Sequence, residues 1–116
     1  MLDRTLVLVS RNGFGTTAPS DEAFGTAMLE KFLHTLEARG DRPAAICFVT
    51  EGIAAVTTDG PALLSLQMLE QMGVRMVACG TCLDHYGRRD DLKVGEAGGM
   101  NDIVDLMAGA DKVITI

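Results

Sequence analysis

The sequence lacks the features that point to a membrane or to nucleic acid. No apolar run approaches the roughly 18 residues that span a bilayer, and residues 1–10 lack the apolar segment and cleavage site of a signal peptide. Lysine and arginine number 10 against 16 aspartate and glutamate, which gives a formal net charge of -6 and no broad basic field. We therefore expect a cytoplasmic protein with no nucleic-acid partner and no membrane partner.

Cysteine is scarce as well. The chain has three cysteines, Cys47, Cys79 and Cys82, an odd number at spacings that match no disulfide framework. In a reducing compartment such thiols serve as core filler, metal ligands or redox groups. Cys47 lies inside an apolar run, so we interpret it as core filler. The other two are then free to do chemistry.

The apolar content is high enough for a single core. The 116 residues are 47% hydrophobic, which suits one domain that needs neither disulfides nor a structural metal. The chain shows no internal repeat, low-complexity tract or linker. We expect one domain over residues 1–116.

Short apolar runs alternate with helical patterns along the chain. Strands are predicted at residues 5–9, 44–50, 74–78 and 112–116, with a brief further strand at 92–96. Helices are predicted to begin near Asp21, at Pro61 and at Asn101 or Asp102. Residues 51–58 are expected to form an ordered loop. This alternation predicts right-handed crossovers and a three-layer α/β/α sandwich with a parallel sheet.

The first helix carries a broad apolar stripe. Its members recur at four-residue spacing, and Gly40 follows as the residue that ends the helix. The stripe consists of Phe24, Met28, Phe32 and Leu36, flanked by Leu29 and Leu33.

The stretch from Val74 to Gly87 carries the strongest chemical signal. Its strand runs straight into Cys79, and ligands of open parallel sheets collect at the carboxyl ends of strands. Backbone N–H groups and the positive end of a helix dipole at such an end favour a thiolate, which is the nucleophilic form. Cys82 is close enough in sequence to resolve a mixed disulfide or persulfide formed on Cys79.

Three interpretations of this C-x-x-C pair stay open on the residues alone. Cys79 could carry sulfur or selenium as a persulfide or its selenium analogue. Alternatively Cys79, Cys82 and His85, with Asp84, could bind zinc, although no second Cys or His pair completes the usual spacing. Otherwise the cysteines pack at a tight turn where Gly80 supplies backbone freedom. His85 could donate a proton or stabilise a thiolate, or it could be an ordinary exposed histidine.

A second strand-to-helix loop precedes the first helix. Gly13, Gly15, Thr16 and Thr17 lie where backbone amides can cradle an anion. The loop matches neither G-x-G-x-x-G nor a Walker motif, so we interpret it as an ordinary turn.

Several stretches resemble one known family, the sulfurtransferase-like selenium-metabolism proteins of the YedF type, whose C-terminal domain belongs to the DsrE-like superfamily. The stretches are VACGTCLDHYG, LKVGEAGGMNDIV, AGADKVITI and AAICFVTEGIAAVTTDG. The resemblance covers most of the chain and weakens before Phe24. It implies a three-layer α/β/α fold with a parallel sheet of about five strands, as in sulfur-relay subunits.

The resemblance also implies roles for residues. Cys79 matches the cysteine that accepts sulfane sulfur, while Cys82 and His85 match the YedF-type CGTC block. YedF-type proteins usually carry an additional TusA-like domain, for which the 116 residues leave no room, so a TusA-like partner protein is expected to supply sulfur. Relatives commonly assemble, which implies a homo-oligomer. Residues 98–101, GGMN, replace a more constrained Asn-Met segment and predict a looser loop facing the cysteines.

The sequence therefore predicts a sulfur- or selenium-relay protein, a sulfurtransferase or persulfide carrier. In this hypothesis Cys79 accepts the chalcogen, Cys82 resolves or shares it and His85 assists. No cofactor and no bound metal are expected. The alternative is a non-catalytic binding or assembly subunit of a sulfur-relay complex whose cysteines are structural.

Overall fold

Five short strands form one parallel sheet. The computed structural model describes all 116 residues. Every neighbouring pair is parallel. The strands are β1 (Thr5–Val9), β2 (Ala45–Phe48), β3 (Arg75–Cys79), β4 (Glu96–Gly98) and β5 (Lys112–Thr115). Their order across the sheet is β4-β3-β2-β1-β5.

Five helices connect these strands, and three short 3-10 helices lie between them. The helices are α1 (Glu22–Arg39), α2 (Ala54–Thr57), α3 (Pro61–Gln71), α4 (Gly80–His85) and α5 (Met100–Gly109). The 3-10 segments are Pro19–Asp21, Thr50–Ile53 and Arg89–Asp91. Gly40 ends α1 in the left-handed conformation that the sequence predicts. No helix combines the length and apolar character that crossing a bilayer requires.

The two faces of the sheet are covered by different helices. The chain steps from β1 through β2 and β3 to β4, and α5 then carries it back across the sheet to β5 on the other side of β1. Because parallel crossovers are right-handed, this reversal places α5 opposite α1 and α3. The predicted three-layer α/β/α sandwich with five parallel strands is confirmed.

Alternation along the strands produces two hydrophobic cores. The larger joins Val7, Ile46 and Met76 to side chains of α1 and α3. The smaller joins Leu6, Cys47 and Val77 to Ile103 of α5. The second core is thinner because a single ten-residue helix covers that face.

The predicted stripe of α1 is wrong at its first member. Phe24 is 64% exposed, and the next residue, Gly25, is buried instead. The N–H of Phe14 donates to the carbonyl of Gly25 at 3.0 Å, so the loop before the helix covers the face where Gly25 lies. The adjacent side chain of Phe24 therefore points to solvent, while Leu29, Leu33 and Leu36 are buried as expected.

Residues 51–58 are not a loop. They form the end of the Thr50–Ile53 3-10 helix and then α2, and they bury Ile53 and Val56. This backbone path requires glycine at position 52, because a Cβ there would lie 2.1 Å from the carbonyl oxygen of Val9. The segment thus packs its backbone directly against the end of β1.

The fourth strand begins later than residue 92. Gly95 has a φ of +72° and lies against the carbonyl of Met76, so the backbone turns just before Glu96. The glycine segment after it is also tighter than predicted. A Cβ on Gly98 would lie 2.7 Å from Val77 Cγ1, which shows that the segment facing Cys79 is closely packed.

Candidate functional site

Cys79 is the last residue of β3 and the N-cap of α4. It pairs in register with Gly98, the last residue of β4. The chain leaves β3 toward the larger core, where Leu83 of α4 packs, and leaves β4 toward α5 on the opposite face. Adjacent strands whose connections diverge in this way open a crevice at their carboxyl ends. The structure therefore places Cys79 at the topological switch point of the sheet.

Burial separates the two cysteines of the motif. Cys79 is 3% exposed and belongs to the smaller core, with Cys47 and Ile103. Cys82 is half-buried and packs against both cores. Since α4 has only six residues, its dipole is small and contributes less to the site than the sequence suggests.

The sulfur of Cys82 has one hydrogen-bond partner, and the Cys79 thiol lies beside it. It accepts a hydrogen bond from the backbone N–H of Thr50, with 3.1 Å between N and Sγ. Burial raises the pKa of the Cys82 thiol, the neighbouring Cys79 thiol raises it further, and the Thr50 N–H acts in the opposite direction. The Cys79 thiol therefore lies close enough to influence the ionisation of Cys82.

Thr50 is a site residue that sequence reasoning missed. It follows β2 and has a φ of +48°, and it is the only non-glycine residue with a positive φ. Its Oγ1 donates to the carbonyl of Ser10 at 2.7 Å, which ties the end of β2 to the end of β1. No local pattern in the sequence signals this conformation, because it arises from contacts between separate strands.

His85 and Asp84 are not gathered around the sulfurs. His85 is exposed at the end of α4, with its ring edge-on to Tyr86 at 4.9 Å. Asp84 accepts hydrogen bonds from Arg89 at 2.6 and 3.0 Å, and this pairing lowers the pKa of its carboxyl. No group of three or more His, Cys, Asp or Glu side chains is placed to hold a metal ion. The geometry gives the zinc interpretation no support.

Gly80 provides space rather than an unusual backbone conformation. Its φ is not positive, and a Cβ there would lie 2.7 Å from Arg89 Nη2. The same guanidinium nitrogen donates to the carbonyl of Gly80 at 3.2 Å. Because Gly80, the first residue of α4, has no side chain, the guanidinium group of Arg89 can lie against its backbone.

A family model of the DsrE/DsrF-like family matches residues 5–116. The chain belongs to the DsrE/DsrF-like family. A comparison with curated proteins found no match. Among solved structures, the ychN protein from E. coli has a TM-score of 0.67 at 18% identity and covers 98% of this chain and 99% of its own. MTH1491 from Methanobacterium thermoautotrophicum, a protein of unknown function, has a TM-score of 0.66 at 19% identity, with coverage of 97% and 98%.

A third structure, BT1422 from Bacteroides thetaiotaomicron, is also titled as of unknown function. It has a TM-score of 0.61 at 17% identity, with coverage of 97% of this chain and 95% of that one. At these identities the three structures establish the fold of this DsrE/DsrF-like chain and nothing of its activity.

Beside the cysteine pair, the DsrE/DsrF-like chain forms a polar cleft of about 490 Å³. It opens at the carboxyl ends of β1 and β2 and includes the loop that the sequence predicts as an ordinary turn. That loop is anchored to α1, since Thr26 Oγ1 donates to the carbonyl of Asn12 at 2.8 Å. Thr50 lines the cleft and contacts the Cys82 sulfur, so it joins the two features.

Cys47 is core filler, as predicted. It is fully buried within β2, and burial raises the pKa of its thiol to about 11 against a weaker opposing effect of Arg75. A thiol that stays protonated and enclosed is inert as a nucleophile.

Proposed function

We propose that this chain is a sulfur- or selenium-relay protein in which Cys79 carries the chalcogen and Cys82 is the thiol through which it enters. The observation that carries the proposal is the pair of neighbouring thiols at the switch point of the sheet, one sulfur half-buried and the other enclosed. A persulfide needs an accessible thiol for loading and protection from water and competing thiols afterwards. Cys82 is the accessible thiol, and Cys79 is the protected one.

The chemistry divides into two sulfane transfers. As the Cys82 sulfur attacks the terminal sulfur of a donor persulfide, R–S–SH, the proton of Cys82 passes to His85 or to water. The S–S bond of the donor breaks, leaving a persulfide on Cys82 and a thiolate, RS⁻, that takes up the proton which Cys82 released to His85 or water. Neither step changes the overall oxidation state of the sulfurs, so no external oxidant or reductant is required.

In the second transfer, Cys79 attacks the terminal sulfur held on Cys82. The thiol proton of Cys79 passes to Cys82 as the S–S bond breaks, which leaves Cys79 as the persulfide and Cys82 as the thiol. Attack by an acceptor thiol reverses the sequence. A selenium atom in place of the terminal sulfur follows the same bond changes, as the resemblance to YedF-type proteins suggests.

The proposed partners follow from the same resemblance. A TusA-like protein is proposed as the sulfur donor or acceptor, and the chain is proposed to act as a homo-oligomer. The half-buried position of Cys82 suits exchange with a thiol presented by another protein.

The carrier role is tested by loading the reduced protein with a small persulfide and measuring its intact mass. We expect the wild type to gain one sulfur atom, assigned to Cys79 by fragmentation of the peptide that spans residues 76–88. Cys82→Ser should slow loading by about tenfold or more, because the accessible thiol is lost. His85→Gln should slow it severalfold without moving the added atom.

Cys47→Ala is the matched control, and it should load as the wild type does because that thiol is enclosed in the core. A wild type that gains no sulfur ends the proposal. So does a Cys79→Ser variant that retains sulfur as well as the wild type does.

A second candidate function is a non-catalytic assembly subunit with structural cysteines. The burial of Cys79 favours it, because buried cysteines are most often inert packing groups. In that case neither Cys79 nor Cys82 reacts faster with iodoacetamide than a model thiol of similar exposure, and the loading experiment yields no adduct.

A further inference from the structure

We infer that Thr50 is a positioning residue of the cysteine pair, whose hydroxyl anchor holds its backbone N–H on the sulfur of Cys82. The role of Thr50 in sulfur transfer rests on the proposed function. The contacts themselves are independent of that function, since they concern only the geometry and reactivity of Cys82.

The conformation of Thr50 is unusual for its residue type. A φ of +48° brings the backbone into the left-handed region, where glycine and asparagine are common and a β-branched side chain is a genuine outlier. Such conformations persist only where the surrounding structure over-determines them, and they cluster at functional sites.

Two contacts hold this conformation. The Thr50 hydroxyl donates to the carbonyl of Ser10 at 2.7 Å, across from β2 to the end of β1. Two residues later, Gly52 approaches the carbonyl of Val9 so closely that no larger residue fits. The 3-10 turn therefore contacts the end of β1 at two points, through the side chain of Thr50 and through the backbone of Gly52.

These two contacts orient the backbone N–H of Thr50 toward the sulfur of Cys82. The Thr50 amide nitrogen lies 3.1 Å from Cys82 Sγ, the sulfur that lies beside the Cys79 thiol. An N–H donor stabilises negative charge on a sulfur. Cys82 bears that charge as it attacks the donor and again as the leaving group when the terminal sulfur moves to Cys79, so Thr50 assists both transfers.

The test compares the pH dependence of Cys82 alkylation, resolved by site, in three variants. Thr50→Val keeps the shape of the side chain but removes the anchor, and it should slow Cys82 alkylation at neutral pH on the order of tenfold, with the profile displaced to higher pH. Thr50→Ser restores the hydroxyl and should return the wild-type profile. Thr26→Val is the matched control, because it removes a hydroxyl anchor of the same cleft that does not touch sulfur.

A second measurement needs no change at position 50. The amide resonance of Thr50 in wild-type protein should titrate with the ionisation of Cys82, and this titration should vanish in Cys82→Ala. An amide that stays constant through the Cys82 titration overturns the inference, as does an unchanged profile in folded Thr50→Val. Neither readout uses a sulfur donor, so a wild type that fails to load sulfur counts against the proposed function and not against Thr50.

Discussion

Burial gives the three thiols of this chain three different environments. Cys47 is enclosed in the smaller core, Cys79 is nearly enclosed at the end of its strand, and Cys82 reaches the surface. The C-x-x-C motif alone does not distinguish Cys79 from Cys82. Their difference arises because β3 ends inside the sandwich, while α4 carries the second thiol one turn outward.

At this scale, the Cys47 thiol should make stability fall with rising pH. In the unfolded chain the thiol ionises near 9.0, whereas burial raises the folded pKa to about 11. Its contribution is therefore fully present below pH 9 and is lost as pH rises from 9 toward 11, because the unfolded chain releases the proton first. We expect a fall of about 1–2 kcal/mol over this window.

Urea denaturation at both ends of the window measures this effect. Cys47→Ala has no thiol to titrate, so its free energy of unfolding should fall less steeply than that of the wild type. Equal slopes for the two proteins would show that the Cys47 thiol is not desolvated as the structure indicates.

The 3-10 turn at Thr50–Ile53 is the element on which the site depends most. It carries the amide that contacts Cys82, and its close approach to β1 depends on Gly52. Gly52→Ala would insert a methyl group 2.1 Å from a backbone oxygen, where neither side can yield by rotating a side chain. The turn must shift, and with it the Thr50 amide.

We expect Gly52→Ala to lower the free energy of unfolding by about 2–3 kcal/mol and to slow Cys82 alkylation. Gly109→Ala is the control, because a Cβ there meets nothing within 4 Å, and its stability should be unchanged or slightly higher. A Gly52→Ala protein with wild-type stability and thiol reactivity would contradict the close approach of the turn to β1.

Elements that depend on local pattern were predictable, and those that depend on contacts between strands were not. The strand Thr5–Val9 and the helix from Pro61 follow from apolar runs and end signals. The buried stripe of α1 was misplaced at Phe24 because a distant loop covers Gly25. In the site, the sequence indicated both cysteines but not Thr50, whose positive φ has no local signature.

At the scale of the whole molecule, the apolar surface is uneven. Met100 and Val104 are exposed on successive turns of α5, above a core in which Leu106 and Met107 are only half-buried. Leu64 and Met68 form a similar exposed pair on α3, over the thicker core. Covering the thinner face offers the larger gain in apolar burial.

We therefore expect the predicted homo-oligomer to assemble through α5. Light scattering after size exclusion should give the wild type a mass above that of one 12.3 kDa chain. Val104→Arg should lower this mass, while Leu64→Arg on the other face should leave it unchanged. A monomeric wild type would refute the assembly, and dissociation by Leu64→Arg alone would move the interface to α3.

The parallel pairing of β1 with β5 has a practical consequence for fusions and tags. Ile116 lies at the carboxyl edge of the sheet, where its carbonyl accepts hydrogen bonds from the backbone N–H and the hydroxyl of Ser10, a residue of the polar cleft. Residues before Thr5 lie at the opposite edge, since the strands run the same way. A label attached after Ile116 therefore emerges at the edge of the sheet that carries the polar cleft and the cysteines, whereas one attached before Met1 emerges at the opposite edge.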